Sequence, residues 1–220
     1  MNYLQLTNDY LAETGAGDPI GSVVNQTDEY RQATTWIADA WVEIQRNRRW
    51  RFRWAEDTFT TVGGQGTYSL SELGKTSGTD IDVSSFRLAG SSASLAAISH
   101  RQMQTLEKGA NSYAGTPRYI ALYPDDTLHV YPKPDAALSM SYEYYAAPTF
   151  LVADLDTPTL QPAFHKAIVW KAVEQYAREQ GKEWQALYQA AIRNFNAIYS
   201  VMLHRETGSV RLSPSPLSRN

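Results

Sequence analysis

The spacing of apolar side chains changes twice along this chain, and this change limits the folds available to it more than any other feature. Near both ends apolar residues recur every three or four positions, which is typical of amphipathic helices. Between them apolar and polar residues alternate, which is typical of half-buried strands. The sequence therefore predicts an α+β protein. We expect a helical bundle built from N-terminal helices and a C-terminal helical hairpin, with an inserted antiparallel β module and an extended C-terminal arm.

Residues 1–49 are predicted to supply the N-terminal helices of the bundle. A short helix should run from Tyr3 to Thr14, because glycines follow it directly. A second helix should begin after a cap at Asn25 or Thr27 and continue to about residue 48. Its apolar stripe comprises Tyr30, Ala33, Trp36, Ile37, Ala40, Trp41 and Ile44.

Residues 50–147 are predicted to form the inserted β-rich module. Strand Thr58 to Val62 should pair across a glycine-rich turn with Thr67 to Leu70, and Tyr119 to Tyr123 should form a hairpin with Leu128 to Tyr131. Further strands are expected at 81–88, 94–98 and 138–144, and one short helix at 101–108.

Residues 148–206 are predicted to complete the bundle. Pro162 suits a helix N-terminus and Gly181 a helix end, so we expect helices at 162–180 and from Trp184 to Met202, packed as an antiparallel hairpin. Residues 207–220 are predicted to form the extended arm because two prolines interrupt any helical pattern there. The candidate contact residues of the arm are Val210, Arg211, Leu212, Pro214, Pro216 and Leu217.

Several classes of chemistry are disfavoured. The chain has no cysteine, which excludes disulfides, thiolate catalysis and cysteine-ligated metal centres. Its four histidines lack metal-ligand spacing, and no phosphate-binding loop or nucleophile elbow is present. We therefore expect no enzymatic activity, no cofactor and no metal. The start of the chain lacks an export-signal pattern and no stretch approaches about 20 apolar residues, so we expect a cytoplasmic protein without membrane association.

An arginine-rich run ends the second predicted helix. Trp50, Phe52 and Trp54 alternate with arginines at 49, 51 and 53, so the aromatic side chains should share one face of a strand and these arginines the opposite face. Charge reversal of those three arginines should then spare the isolated fold. The chain is acidic, with a net charge of -3, which favours a subunit interface over DNA contact. The candidate residues for a ring interface or a DNA channel are Arg46, Arg48, Arg49, Arg51 and Arg53.

Four passages, taken in order, resemble a known family. They are YLQLTNDYLAETG, EYRQATTWIADAWVEIQRNRRWRFRW, the strand region TPRYIALYPDDTLHVYPKP with LSMSYEYYAAP, and DLDTPTLQPAFHKAIVWKAVEQYA. Together they resemble the head-to-tail adaptor (connector or neck) proteins of tailed bacteriophages. The order of the passages carries the resemblance, because each one alone is an ordinary amphipathic pattern.

The resemblance implies a virion structural protein of the phage neck, assembled in the host cytoplasm. Such adaptors form a ring, commonly of twelve copies, beneath the portal protein. The ring extends the channel for genomic DNA, without sequence specificity, and receives tail or nozzle proteins. The arm of this chain would then contact the portal or a neighbouring subunit. Two alternatives stay open: a nucleic-acid-binding module that uses the Arg46–Arg53 cluster, and a carbohydrate-binding tail component.

Overall fold

The computed structural model of the chain describes residues 1–91, 94–109 and 114–206. This part of the chain contains five helices and two β-sheets, so the α+β prediction is confirmed. It divides into two compact units. The helical unit comprises Met1–Phe52 and the described residues from Thr149 onward, and the sheet unit comprises Arg53–Pro148. The predicted arm at 207–220 lies outside the described residues.

Four of the five helices belong to the helical unit, and their ends follow local capping chemistry. The Asn2 side chain accepts a hydrogen bond from the Gln5 backbone N–H while the Gln5 side chain accepts one from Asn2, which starts the first helix. Gly15 ends it in the left-handed conformation. The helices are α1 (Tyr3–Thr14), α2 (Asp28–Arg46), α3 (His100–Gly109, in the sheet unit), α4 (Lys166–Gln180) and α5 (Gln185–Glu206), with 3₁₀ turns at Arg51–Arg53, Pro162–Phe164 and Lys182–Trp184.

One apolar cluster holds the helical unit together. The predicted stripe of α2 faces it, with Ile37, Trp41 and Ile44 fully buried. The Trp41 indole N–H donates to the Thr149 hydroxyl at 3.3 Å. The Gln45 side-chain amide donates to the Thr149 carbonyl and accepts from its backbone N–H, at 2.8 and 2.9 Å. These contacts fix the start of the loop that leads to α4.

The sheet unit contains two small sheets. One is three-stranded, in the order β1-β7-β3, and the other is four-stranded, in the order β2-β6-β5-β4. Its core includes a stacked pair, Phe86 and Tyr142, whose ring centroids lie 4.8 Å apart. The strands are β1 (Trp54–Thr60), β2 (Thr67–Ser69), β3 (Asp80–Leu88), β4 (Ala96–Ala97), β5 (Tyr119–Leu122), β6 (Thr127–Tyr131) and β7 (Ser139–Tyr145).

Two pairing predictions are wrong. The strand around residues 58–62 does not pair with 67–70, because β1 pairs antiparallel with β7 and that pairing continues through the Thr61 N–H to the Leu138 carbonyl. The Tyr68 hydroxyl accepts a hydrogen bond from the Val62 N–H and donates one to the Gln65 carbonyl, so the glycine-rich segment folds over the Tyr68 side chain. Strand β2 pairs with β6. The module is also not purely antiparallel: β4 and β5 are parallel, and α3 lies in the long connection that parallel strands require.

Candidate functional site

The structure separates the five candidate arginines. Arg46 is the last residue of α2, Arg48 and Arg49 follow it, and Arg51 begins the next 3₁₀ turn. These four are exposed and belong to the helical unit. Arg53 belongs to the sheet unit and is only 9% exposed. We call residues 46–51 the basic segment, and all four of its arginines are exposed.

Arg53 corrects the predicted alternation. Its guanidinium donates through Nε and Nη2 to the Ala146 carbonyl, at 2.8 and 2.5 Å. Burial lowers the pKa of Arg53, while the nearby Asp80 carboxylate acts in the opposite direction. The period-two prediction is wrong because these residues form a 3₁₀ turn and the strand begins only at Trp54. Trp54 is 44% exposed, and its indole N–H donates to Glu143.

The two preceding aromatic residues do face the core. Trp50 is fully buried, and its indole N–H donates to the Ile44 carbonyl at 2.5 Å. Phe52 stacks on both Trp50 and Trp41, with centroid distances of 5.9 and 5.8 Å. Trp50 and Phe52 thus pack into the core of the helical unit, and the arginines of the basic segment lie on its surface.

Three of the exposed arginines carry uncompensated charge. Arg46, Arg48 and Arg51 have no carboxylate within ion-pair distance among the residues that the structure describes. An exposed guanidinium can form paired hydrogen bonds with a carboxylate or a phosphate. The basic segment can therefore meet an acidic protein surface or a nucleic-acid backbone.

Two of the four histidines, His165 and His129, make structural contacts. His165 is buried, its Nε2 donates to the Leu160 carbonyl at 2.8 Å, and burial lowers its pKa. His129 lies 2.8 Å from Glu107 and stacks on Tyr123. Within residues 1–91, 94–109 and 114–206, no three His, Asp or Glu side chains cluster closely enough to hold a metal ion. Over the same ranges, no helix combines the length and apolarity that a bilayer span needs.

The loop before α4 exposes apolar side chains that the sequence analysis does not single out. Asp154 accepts hydrogen bonds from Ser22 and the Val23 N–H, and Asp156 accepts from the Val152 and Ala153 N–H groups. These backbone donors hold the pKa of Asp156 below its usual range. In the sequence, this loop is marked only by three large apolar residues whose spacing follows neither a helical nor a strand period. The loop presents Phe150, Val152 and Leu155, which are 64%, 72% and 80% exposed.

A family model described as "SU10 adaptor protein" matches residues 1–214, which include both units and nearly the whole sequence. No curated protein sequence matches the chain. The match agrees with the family resemblance carried by the four sequence passages, which is thereby confirmed. The chain belongs to the SU10 adaptor protein family, a family of phage head-to-tail adaptors.

Proposed function

We propose that the protein forms a ring in the phage neck, with twelve copies as the expected number, between the portal and the tail. The observation that carries this proposal is the family match over residues 1–214. Membership of a phage adaptor family implies association with portal and tail proteins in the virion neck. In the proposed ring, the central opening extends the DNA channel of the portal. The proposed role is structural and involves no catalysis.

The helical unit is the proposed ring-building part. We infer that its helices form a bundle completed by the α4–α5 hairpin, with the sheet unit inserted and the arm extending from α5. A head-to-tail contact closes into a ring when its rotation divides a full turn. The exposed loop with Phe150, Val152 and Leu155 supplies apolar surface of the kind that protein contacts bury.

The basic segment 46–51 is assigned to the ring interface or to the channel wall. Its arginines are exposed, and three of them lack a described acidic partner. Arg53 is left out of this assignment because its guanidinium is hydrogen-bonded to the Ala146 carbonyl.

The exposed arginines at 46, 48 and 51 also favour the alternative function, a nucleic-acid-binding module. DNA binding by the isolated chain that weakens steeply with salt would support that alternative.

The proposed function is tested by electron microscopy of the full chain mixed with its cognate portal protein. We expect the chain to add a ring that is coaxial with the portal and continuous with its opening. The portal alone is the control. If the mixture shows bare portals and the two proteins elute separately in gel filtration, the ring proposal is wrong.

Deletion of residues 207–220 should weaken attachment to the portal or to a neighbouring subunit and leave the fold intact. The removed segment carries the apolar residues Val210, Leu212 and Leu217 and follows Glu206, the last residue of α5. Circular dichroism melts report the fold, and co-sedimentation with the portal reports attachment. Full incorporation of the shortened chain into particles would show that the arm makes no assembly contact.

A further inference from the structure

The loop before α4 buries two of its leucines and exposes a third. Leu151 and Leu160 pack in the core of the helical unit, whereas Leu155 is 80% exposed. Phe150 and Val152, earlier in the same loop, are exposed as well. Apolar side chains grouped at a surface in this way are typical of a contact site for another protein.

Hydrogen bonds to α1 hold the exposed leucine in place. Asp154 and Asp156 lie on either side of Leu155 in the sequence. Their backbone carbonyls accept hydrogen bonds from the N–H groups of Leu4 and Tyr3, at 3.2 and 2.7 Å respectively. A segment that is ordered before binding loses little conformational entropy when it binds, which favours association.

The two aspartates beside Leu155 each keep one carboxylate oxygen for a partner. Asp154 accepts its side-chain hydrogen bonds, from residues 22 and 23, through Oδ1 alone. Asp156 accepts from two N–H groups of the loop through Oδ2 alone. Neither carboxylate pairs with a cation in the described part of the chain. Residues 154–156 therefore present an apolar side chain between two carboxylates that can still pair with a cation.

A groove of the helical unit lies where α4 turns into α5. Its volume is about 320 Å³, near the lower limit of pockets that hold small ligands, so it suits a single inserted side chain. The groove is open to solvent, and residues from the end of α4, the turn and the start of α5 line it: Ala177, Arg178, Gly181, Lys182, Gln185 and Tyr188.

The groove carries the charge opposite to that of the loop. Arg178 and Lys182 are exposed, and neither has a carboxylate within ion-pair distance among residues 1–91, 94–109 and 114–206. The nearby Glu179 and Glu183 do not line the groove, and the Glu179 side chain lies 3.5 Å from Gln32 of α2 instead. The groove thus offers two cations beside the apolar surface of its other lining residues.

The loop and the groove lie at opposite ends of α4. The loop is bonded to the start of α1, where the Met1 amino group lies 2.8 Å from Nδ1 of His165, the residue before α4. The groove contains residues from the last turn of α4, which has 15 residues and is therefore about 22 Å long. The loop is held at the first end, so it leaves the groove of its own chain open.

We propose that Leu155 of one copy inserts into this groove of the next copy, an inference that rests on the proposed ring. Asp154 and Asp156 then pair with Arg178 and Lys182 of the copy that receives them. Apolar insertion supplies the buried contact, and the charge pairs fix which end of the neighbour is recognised. Because the two surfaces differ and lie at opposite ends of α4, the contact is head-to-tail, the type that closes into a ring.

The test is crosslinking between two single-cysteine variants, which is possible because the chain has no native cysteine. One full chain carries Leu155→Cys in the loop, and the other carries Gln185→Cys in the groove; both positions are exposed. A short bismaleimide joins thiols that lie close together. With the cognate portal protein present, we expect a linked dimer from the mixture and little from either variant alone. Val201→Cys, an exposed apolar position outside the loop, replaces Leu155→Cys as the control and should give little linked dimer.

A charge reversal tests the pairing across the contact. Arg178→Glu, introduced into the Gln185→Cys chain, should lower the yield of linked dimer about tenfold, because it places a carboxylate opposite the acidic loop. Arg193→Glu reverses an exposed charge of α5 that does not line the groove and is the matched control. Circular dichroism melts of each variant report the fold, and Lys182→Glu takes the place of Arg178→Glu if that chain does not fold.

Absence of the linked dimer, or an equal yield from the Val201→Cys control, overturns the inference. Equal yields from the Arg178→Glu and Arg193→Glu chains overturn the charge pairing. A link from position 155 to the portal instead of to the second chain would overturn the choice of a second copy as the partner. A ring on the portal without this link would refute the groove assignment alone, whereas the link without a ring would refute the proposed function alone.

Discussion

Replacing Trp41 with alanine is expected to lower the free energy of unfolding by about 3–5 kcal/mol. Trp41 is fully buried in the apolar cluster of the helical unit, where its ring stacks on Phe52. Alanine would leave a cavity between α2 and its neighbours and would remove the indole donor from Thr149. That donor helps to fix the start of the loop before α4, so part of the loss should come from this segment.

The measurement is urea unfolding followed by circular dichroism, with the unfolding midpoint and the slope compared between variants. Trp54→Ala is the matched control, because it removes the same side chain from an exposed position. The control also removes the exposed hydrogen bond to Glu143 and should lower stability by about 1 kcal/mol, clearly less than Trp41→Ala. Equal midpoints for Trp41→Ala and the wild type would place Trp41 outside the core.

The helices could be predicted from the sequence because their signals are local. The stripe through Ile37, Trp41 and Ile44 has the helical period, and glycines mark the ends of α1 and α4. All seven strands could be located for a similar reason, since alternation is also local. Fold class therefore follows from periodicity alone.

Strand pairing could not be predicted because it depends on contacts distant in sequence. Strand β1 pairs with residues more than 75 positions away, and the Tyr68 hydroxyl folds the intervening turn onto itself. A glycine-rich turn between two strands suggests a hairpin. Here, however, β1 does not pair with β2, the next strand in the sequence. The pairing of Thr60 with Ser139 and the hydrogen bond from Thr61 to Leu138 show which partner β1 has at this end.

The candidate site was predicted in part. Exposure of the basic segment 46–51 follows from its position at the end of an amphipathic helix. The burial of Arg53 could not be predicted, because its acceptor, the Ala146 carbonyl, is remote in sequence.

The burial of Arg53 leads to the second large effect. Arg53→Glu is expected to lower the free energy of unfolding by about 2–4 kcal/mol. The substitution removes two charge-assisted hydrogen bonds to Ala146 and places a carboxylate opposite that carbonyl oxygen. It also brings a negative charge close to Asp80, whose carboxylate stabilises the positive charge of the Arg53 guanidinium in the native protein. This expectation replaces the earlier one that reversal of Arg49, Arg51 and Arg53 would spare the fold.

Arg51→Glu is the matched control, because it reverses the same charge in the same 3₁₀ turn at an exposed position. Solvent screens an exposed charge, so this variant should change stability by about 0.5 kcal/mol or less. Urea unfolding of the isolated chain, before any assembly, compares the two variants directly. A large loss for Arg53→Glu with little loss for Arg51→Glu would show that Arg53 is a structural residue of the sheet unit. Identical unfolding curves for both would mean that the guanidinium of Arg53 faces solvent, and the predicted alternation of aromatic and arginine faces would then be restored.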